Sequence, residues 1–390
     1  MVRNHRFWKL IAVFLVFGVA TFVAGCGGSQ SSEIKIGFFA PITGPAAADG
    51  ESVKRAAELA VKEINDAGGI NGKKIQLVAY DDRLDPKEAV NIANKLIGQD
   101  KVVAVVSGSY SGTTRAAAPI FQEAKIPMIT AYAVHPDITK AGNYMFRQSF
   151  LGTVQGRAGA EAAVKLLGAK NISILAVDND FGKTLSAGFK ERVEKLGAKI
   201  VSADIFPSGE KEFNPLLTKI KGLKPDLVYL VGYSSEGSQI VTQAKALGLE
   251  AKILGTEGID STKQFLGVAG ANAEGVVITT NLNRDDEREV AKKFFANFQK
   301  AYNTSPDMVG ASTYDAFYVL ANAIKTVGTD PAKIREAISK TKNYEAVTGT
   351  IAGYTAGGEV MKTVQVQQVK GGSFHYFGKI TDPEVITPPQ

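Results

Sequence analysis

The sequence predicts an α/β protein built as two doubly wound, mostly parallel sheets, each the centre of its own lobe. Two observations carry this. Short β-favouring apolar runs alternate with helical spacings from Glu33 onward, and the whole rhythm restarts near residue 155. A βαβα alternation gives a parallel sheet with helices on both faces. A second series of the same kind calls for a second core, because single cores rarely grow past about 250–300 residues.

The elements follow in order. IKIGFFAP (34–41) reads as a strand, and residues 52–67 repeat apolar side chains at helical spacing until Gly68-Gly69. KIQLVAYDD (74–82) is a strand. Asp85-Pro86 opens the next helix as an N-cap followed by a proline at the first helical position. The stretch VVAVVSGSYSGTT (102–114) starts as a strand buried on both faces, then breaks at Ser107-Gly108 into small and hydroxyl residues. Helical spacing follows over 115–124, with Pro119 predicted to mark a short or broken first turn, and PMITA (127–131) is a short strand. In the second series helices are expected over 155–167, 185–196, 213–221 and 237–247. Strands are expected over 172–180, 199–206, 226–233 and 251–258. GVVITT (275–280) leads to two long helices, 286–302 and 309–327, and residues 349–377 alternate as hairpins do.

A strand running into a Ser/Gly/Thr loop and then a helix aims free N–H groups at one point. The 102–114 stretch is therefore a candidate anion site, for a carboxylate or a phosphate. Ser111, Thr113 and Thr114 serve equally well as ordinary helix caps.

The chain has 390 residues, formal charge +6 and one cysteine. Arg3, Arg6 and Lys9 precede an uncharged apolar run over 10–23, too short to span a bilayer comfortably and of the right length for a signal peptide. The run ends in Val23-Ala24-Gly25-Cys26, which resembles a lipobox with Cys26 as the lipidated new N-terminus; an ordinary signal peptide ending near a cysteine is the alternative. An exported chain with one cysteine has no internal disulfide, so anchoring explains Cys26. GGSQSS (27–32) reads as a flexible tether. Removing residues 1–25 takes away three basic groups and lowers the formal charge to +3, which argues against a nucleic-acid partner.

Catalytic signals are sparse. His135 and His375 are the histidines left after residue 25, so a metal cluster is not expected, and neither is a cofactor. No complete G-x-x-x-x-G-K-[ST] or G-x-G-x-x-G phosphate loop is present. Gly108–Gly112 has the outer glycines of a nucleophile elbow, but Tyr110 holds the nucleophile's position. The acid pairs Asp81-Asp82 and Asp178/Asp180 fit helix caps or backbone partners better than acid–base work. These absences point to a binding protein rather than an enzyme.

IKIGFFAPITGPAAADG (34–50), INDAGGINGKKIQLVAYDD (64–82), DPKEAVNIANKLI (85–97) and GTEG (255–258) resemble the branched-chain amino-acid-binding proteins of ABC importers, which have the type I periplasmic-binding-protein fold. The resemblance runs from residue 34 to about residue 377. It implies two lobes joined by a three-crossing hinge: 34–150 with 281–363, and 151–280 with 364–390, after a signal peptide (1–25) and a lipidated tether (26–33). It implies that Ser111 holds the ligand carboxylate and that the Tyr132 carbonyl accepts from the ammonium. Glu257 is then the acidic partner of the ammonium, Tyr233 an aromatic wall of the second lobe, and Phe181 an aromatic lid. Three positions depart from the family pattern. Val134 stands for a threonine that touches both ligand charges, Asp49 for a tyrosine near the ligand side chain, and Leu84 and Tyr110 for a disulfide. Tyr110 or Thr113 is available to compensate at Val134. Asp49 suits either a ligand with a distal amine or amide or a cap for the helix at Ser52, and the cap is the preferred reading.

The resemblance implies a monomeric, lipid-anchored amino-acid-binding protein on the outer side of the cell membrane that delivers its ligand to an ABC permease. A sensor for amides or amino acids, and an importer component for urea, an amide or an aromatic acid, are the alternatives.

Overall fold

The computed structural model describes residues 33–388. The expected signal peptide, Cys26 and the expected tether through Ser32 lie outside the described residues, and Glu33, expected in the tether, opens the first strand.

The first sheet has β1 (Glu33–Ala40), β2 (Lys74–Asp81), β3 (Ala104–Ser107), β4 (Met128–Thr130) and β5 (Met145–Arg147), ordered β2-β1-β3-β4-β5 with every pair parallel. Its connections are α1 (Ala47–Asp66), α2 (Pro86–Lys95, extended by a π turn at Leu96–Asp100), α3 (Ser111–Glu123) and the short α4 (Asp137–Lys140). The Asp85 carboxylate caps α2 by accepting from the Lys87 N–H at 2.8 Å, with Pro86 at the first helical position. β1 is buried on both faces, with Phe38 and Phe39 pointing into opposite cores, as a strand covered by helices on both sides must be.

The chain then crosses to a second sheet through α5 (Gly152–Glu161, with a π turn to Leu166), β6 (Asn171–Val177), α6 (Asp180–Lys195), β7 (Lys199–Phe206) and α7 (Asn214–Leu223). It continues through β8 (Leu227–Val231), α8 (Ser234–Ala246), β9 (Lys252–Gly255), the one-turn α9 (Gly267–Ala269) and β10 (Val277–Thr280). It returns to the first core with α10 (Glu289–Tyr302), α11 (Met308–Val327), α12 (Pro331–Ser339) and the small hairpins β11 (Tyr344–Ala346)–β12 (Gly349–Ile351) and β13 (Gly353–Tyr354)–β14 (Val360–Met361). Phe294, Phe317 and Ile334 of these helices pack with Ile36, Phe38 and Val106. Last come β15 (Val364–Lys370), β16 (Ser373–Ile380) and α13 (Pro383–Ile386), whose Val366, Phe374 and Val385 join the second core. The second sheet is ordered β16-β15-β10-β9-β8-β6-β7, antiparallel only at its β16 and β15 end. The chain therefore passes between the two cores three times, after β5, β10 and β14.

Pro119 does not break its helix. α3 runs from Ser111 through Pro119 to Glu123, because losing one backbone bond is outweighed by burying Ala117, Ala118 and Phe121 on the inner face. β5 and α12 are elements the spacing analysis did not contain. α12 carries the same Asp330-Pro331 start signal as α2, and Asp330 accepts from the Lys333 N–H at 2.9 Å. Among the described residues no helix is long and apolar enough to cross a membrane, and no group of three or more His, Cys, Asp or Glu is placed to hold a metal.

Candidate ligand-binding cleft

In parallel α/β sheets, loops at the carboxyl ends of the strands form the binding crevice. Here β3 and β4 of one sheet and β6, β8 and β9 of the other deliver such loops to a shared cavity, which Asp49, Tyr110, Ser111, Tyr132, Val134, Phe181, Tyr233 and Glu257 all line.

Ser111 is the first residue of α3 and is buried. The residue before it, Tyr110, sits at the N-cap position and has no side-chain acceptor for the first-turn N–H groups. That helix start is left uncapped by any side chain, which suits an anion. The Ser111 Oγ accepts from the Val134 N–H at 3.2 Å, tying the two halves of this end together. Thr113 is not in the cavity wall. Its Oγ1 pairs with the Ser109 hydroxyl at 2.7 Å and donates to the Tyr110 carbonyl at 2.9 Å, so it shapes the turn and cannot replace the hydroxyl that Val134 lacks. Thr114 is likewise spent on Ser107, at 2.7 Å. The Tyr132 hydroxyl donates to the Gly108 carbonyl at 3.0 Å, and its ring meets Tyr110 edge-on.

The opposite end is acidic. Glu257 follows β9, is 5% exposed, and its Oε2 is buried without a hydrogen-bond partner. Burial, and after it the neighbouring Asp260, push the Glu257 carboxyl well above the usual range, against the pull of Lys362 and Arg147. A buried carboxylate with no partner is costly, and a cation brought to it relieves that cost. Asp260 differs: it is ion-paired to Arg284 and accepts from the Thr280 hydroxyl. Asp307 caps α11, accepting from the Gly310 N–H at 2.9 Å and the Ser52 hydroxyl at 2.5 Å. Burial, aided by Asp49, raises its carboxyl to about 7.

Asp49 does not cap a helix. α1 already begins at Ala47, so Asp49 lies inside its first turn with the carboxylate in the cleft. One oxygen accepts from the Tyr110 hydroxyl at 2.6 Å and the other from the Gln264 amide at 3.1 Å. Tyr110 in turn stacks on Tyr233 (5.0 Å between centroids, 19° between planes), and Tyr233 stacks on Phe181 (5.3 Å, 21°). The ring column joins the two sides of the cleft, as does the Arg115–Asp180 ion pair at 3.1 Å. The acid pairs take structural parts: Asp81 and Asp82 accept from the Arg83 and Leu84 N–H groups, and Asp178 pairs with Lys183.

Spacing did not reveal Asp260, Asp307 or Val309, which also line the cavity, nor Arg147 behind it. Fully buried Arg147 pairs with Glu359 at 2.8 Å and donates to the Ala133 and His135 carbonyls, holding the loop that carries Tyr132 and Val134. Arg147 stands in the mixed segment MFRQSF (145–150), where no spacing rule singles it out.

A family model described as "Periplasmic binding protein" matches residues 33–373. The chain is 32% identical over 351 residues to the leucine-, isoleucine-, valine-, threonine- and alanine-binding protein of Pseudomonas aeruginosa, covering 89% of this chain and 91% of that one. Among solved structures, the leucine-binding protein LivK of Thermotoga maritima matches with a TM-score of 0.83 at 32% identity, over 90% of this chain and 99% of that one. LivJ of Streptococcus pneumoniae, a branched-chain amino acid transporter substrate-binding protein solved with isoleucine, gives 0.83 at 31% identity, over 89% and 99%. The chain belongs to the periplasmic binding protein family, a family of solute-binding proteins, and has the type I fold.

Proposed function

We propose that this chain is an extracytoplasmic solute-binding lipoprotein that captures an α-amino acid, branched-chain or related, between its lobes and delivers it to the permease of an ABC importer. The observation that carries the reading is the unpartnered, buried Glu257 carboxyl in the same cavity as the uncapped start of α3 at Ser111. An α-amino acid brings one charge of each sign, and neither is tolerated in a closed cleft without a partner. Ser111 and the α3 N–H groups answer the carboxylate; Glu257, with the Tyr132 carbonyl, answers the ammonium. Tyr233 and Phe181 cover the ligand from the second lobe. The three chain passes act as the hinge, and binding favours the closed form because only that form offers both partners at once. Cys26 carries the lipid that holds the monomer at the membrane. The names of the relatives support an amino acid as the ligand.

Calorimetric titration of the purified protein with the twenty amino acids, urea, simple amides and aromatic acids tests the reading. An α-amino acid as the tightest ligand is expected. Tight binding confined to a ligand with no ammonium would overturn it.

A further inference from the structure

Two contacts cross the cleft between protein groups alone. The Gln264 amide donates to one Asp49 oxygen at 3.1 Å. Gln264 stands beside Phe265 and Leu266 of the second core, and Asp49 lies on α1 of the first. The other Asp49 oxygen accepts from the Tyr110 hydroxyl at 2.6 Å, so the carboxylate is anchored from its own side. The second contact pairs Arg115 of α3 with Asp180, the first residue of α6, at 3.1 Å. Glu51 and Lys263 also approach to 3.9 Å, but both are exposed, and such a pair contributes little.

Gln264, Arg115 and Asp180 are outside the wall of the ligand cavity. Their bonds form when the two cores face each other across the cleft, whatever occupies it. A hinge opening that parts α1 from the turn at 262–266 breaks the first, and one that parts α3 from α6 breaks the second.

We infer that the Asp49–Gln264 bond and the Arg115–Asp180 pair form a clasp that stabilises the closed form independently of the ligand, and so set the affinity for every ligand by one common factor. The inference rests on the hinge closure proposed above, and not on which ligand the cleft takes. A ligand that needs the closed form binds with an apparent affinity scaled by the closed fraction. Losing the clasp lowers the closed-to-open ratio by a fixed factor. Where the ligand-free protein is mostly open, every affinity falls by that factor, chiefly through faster dissociation. Where it is mostly closed, the ligand-free protein opens. A hydrogen bond to a half-buried carboxylate corresponds to roughly tenfold, and an exposed ion pair to at most about fivefold.

The test compares the wild type, Gln264→Ala, Asp180→Asn and the double variant. Leucine, alanine, urea, acetamide and benzoate are the probes, followed by calorimetry, stopped-flow dissociation and X-ray scattering with and without probe. The double variant is expected to bind each probe that the wild type binds about 10- to 50-fold more weakly, with faster dissociation, or to show a larger ligand-free radius of gyration than the wild type. Unchanged affinities together with unchanged ligand-free scattering would overturn the clasp. So would losses that differ by more than about threefold between probes, because residues that act only through closure shift every ligand alike. In either case, compaction of the wild type by a bound probe leaves the hinge closure standing. Scattering unaffected by a bound probe in all four proteins would overturn the closure and the clasp with it. With no probe bound by any protein, ligand-free scattering decides: expansion of the double variant supports the clasp, and equal radii overturn it.

Discussion

Glu257→Gln keeps the size and shape of the side chain and removes its charge. Glu257 is 5% exposed and its Oε2 has no partner in the protein, so under the proposed function a ligand ammonium supplies the missing counter-charge. Removing one member of a buried ion pair costs about 3–5 kcal/mol, or roughly 150- to 5,000-fold in Kd. The effect is pH-dependent, with a sign the structure dictates. Burial holds the carboxyl above its ordinary range in the ligand-free site, and an ammonium beside it draws that value down. Binding therefore releases a proton, and wild-type affinity rises with pH through the range where the free site titrates. At low pH Glu257 is neutral in the free protein, so wild type and variant converge. Calorimetry at several pH values, in buffers of different ionisation enthalpy, reads both the affinity and the protons released. A change of less than about threefold in Kd for Glu257→Gln, with no proton release in the wild type, would refute the reasoning.

Further outcomes follow from other residues. Asp307 is pushed up to about 7 from an ordinary 3.8; between those values the folded protein holds a proton that the unfolded chain lacks. Its contribution is thus fully present below about pH 4 and is lost as the pH rises to about 7. Asp307→Asn, which keeps the α11 cap, is expected to flatten that slope in urea unfolding. Glu359→Ala leaves Arg147 buried without its carboxylate and is expected to cost about 3–5 kcal/mol in the same assay. It should weaken ligand binding as well, because Arg147 holds the 132–135 loop. Cys26→Ser should abolish fatty-acid labelling and move the protein out of the membrane fraction; unchanged labelling would refute the anchor.

The alternation of strand and helix was legible because each element's burial is written into its local spacing, and the Asp85-Pro86 start of α2 because a cap is a local contact. The same local logic misread Asp49. Its partners, Tyr110 and Gln264, are 61 and 215 residues away, so a capping rule based on near neighbours had nothing to weigh against. Pro119 was misread for a related reason: propensity speaks for one residue, whereas the buried face of α3 decides for the helix. Arg147 and Asp307 reach the site only through packing between distant segments. The grouping of Ser111 with Glu257 came from family resemblance, since no spacing rule links residues on separate sheets.

The claim that one cavity answers two opposite charges is tested most directly by ligands that differ in a single charge. The measurement is calorimetric titration with the tightest-binding amino acid, its deaminated acid and its decarboxylated amine, under one set of conditions. Loss of either charged group strands a buried partner, and each analogue is predicted to bind at least about 100-fold more weakly. An analogue without the ammonium that binds within tenfold of the amino acid would contradict the account.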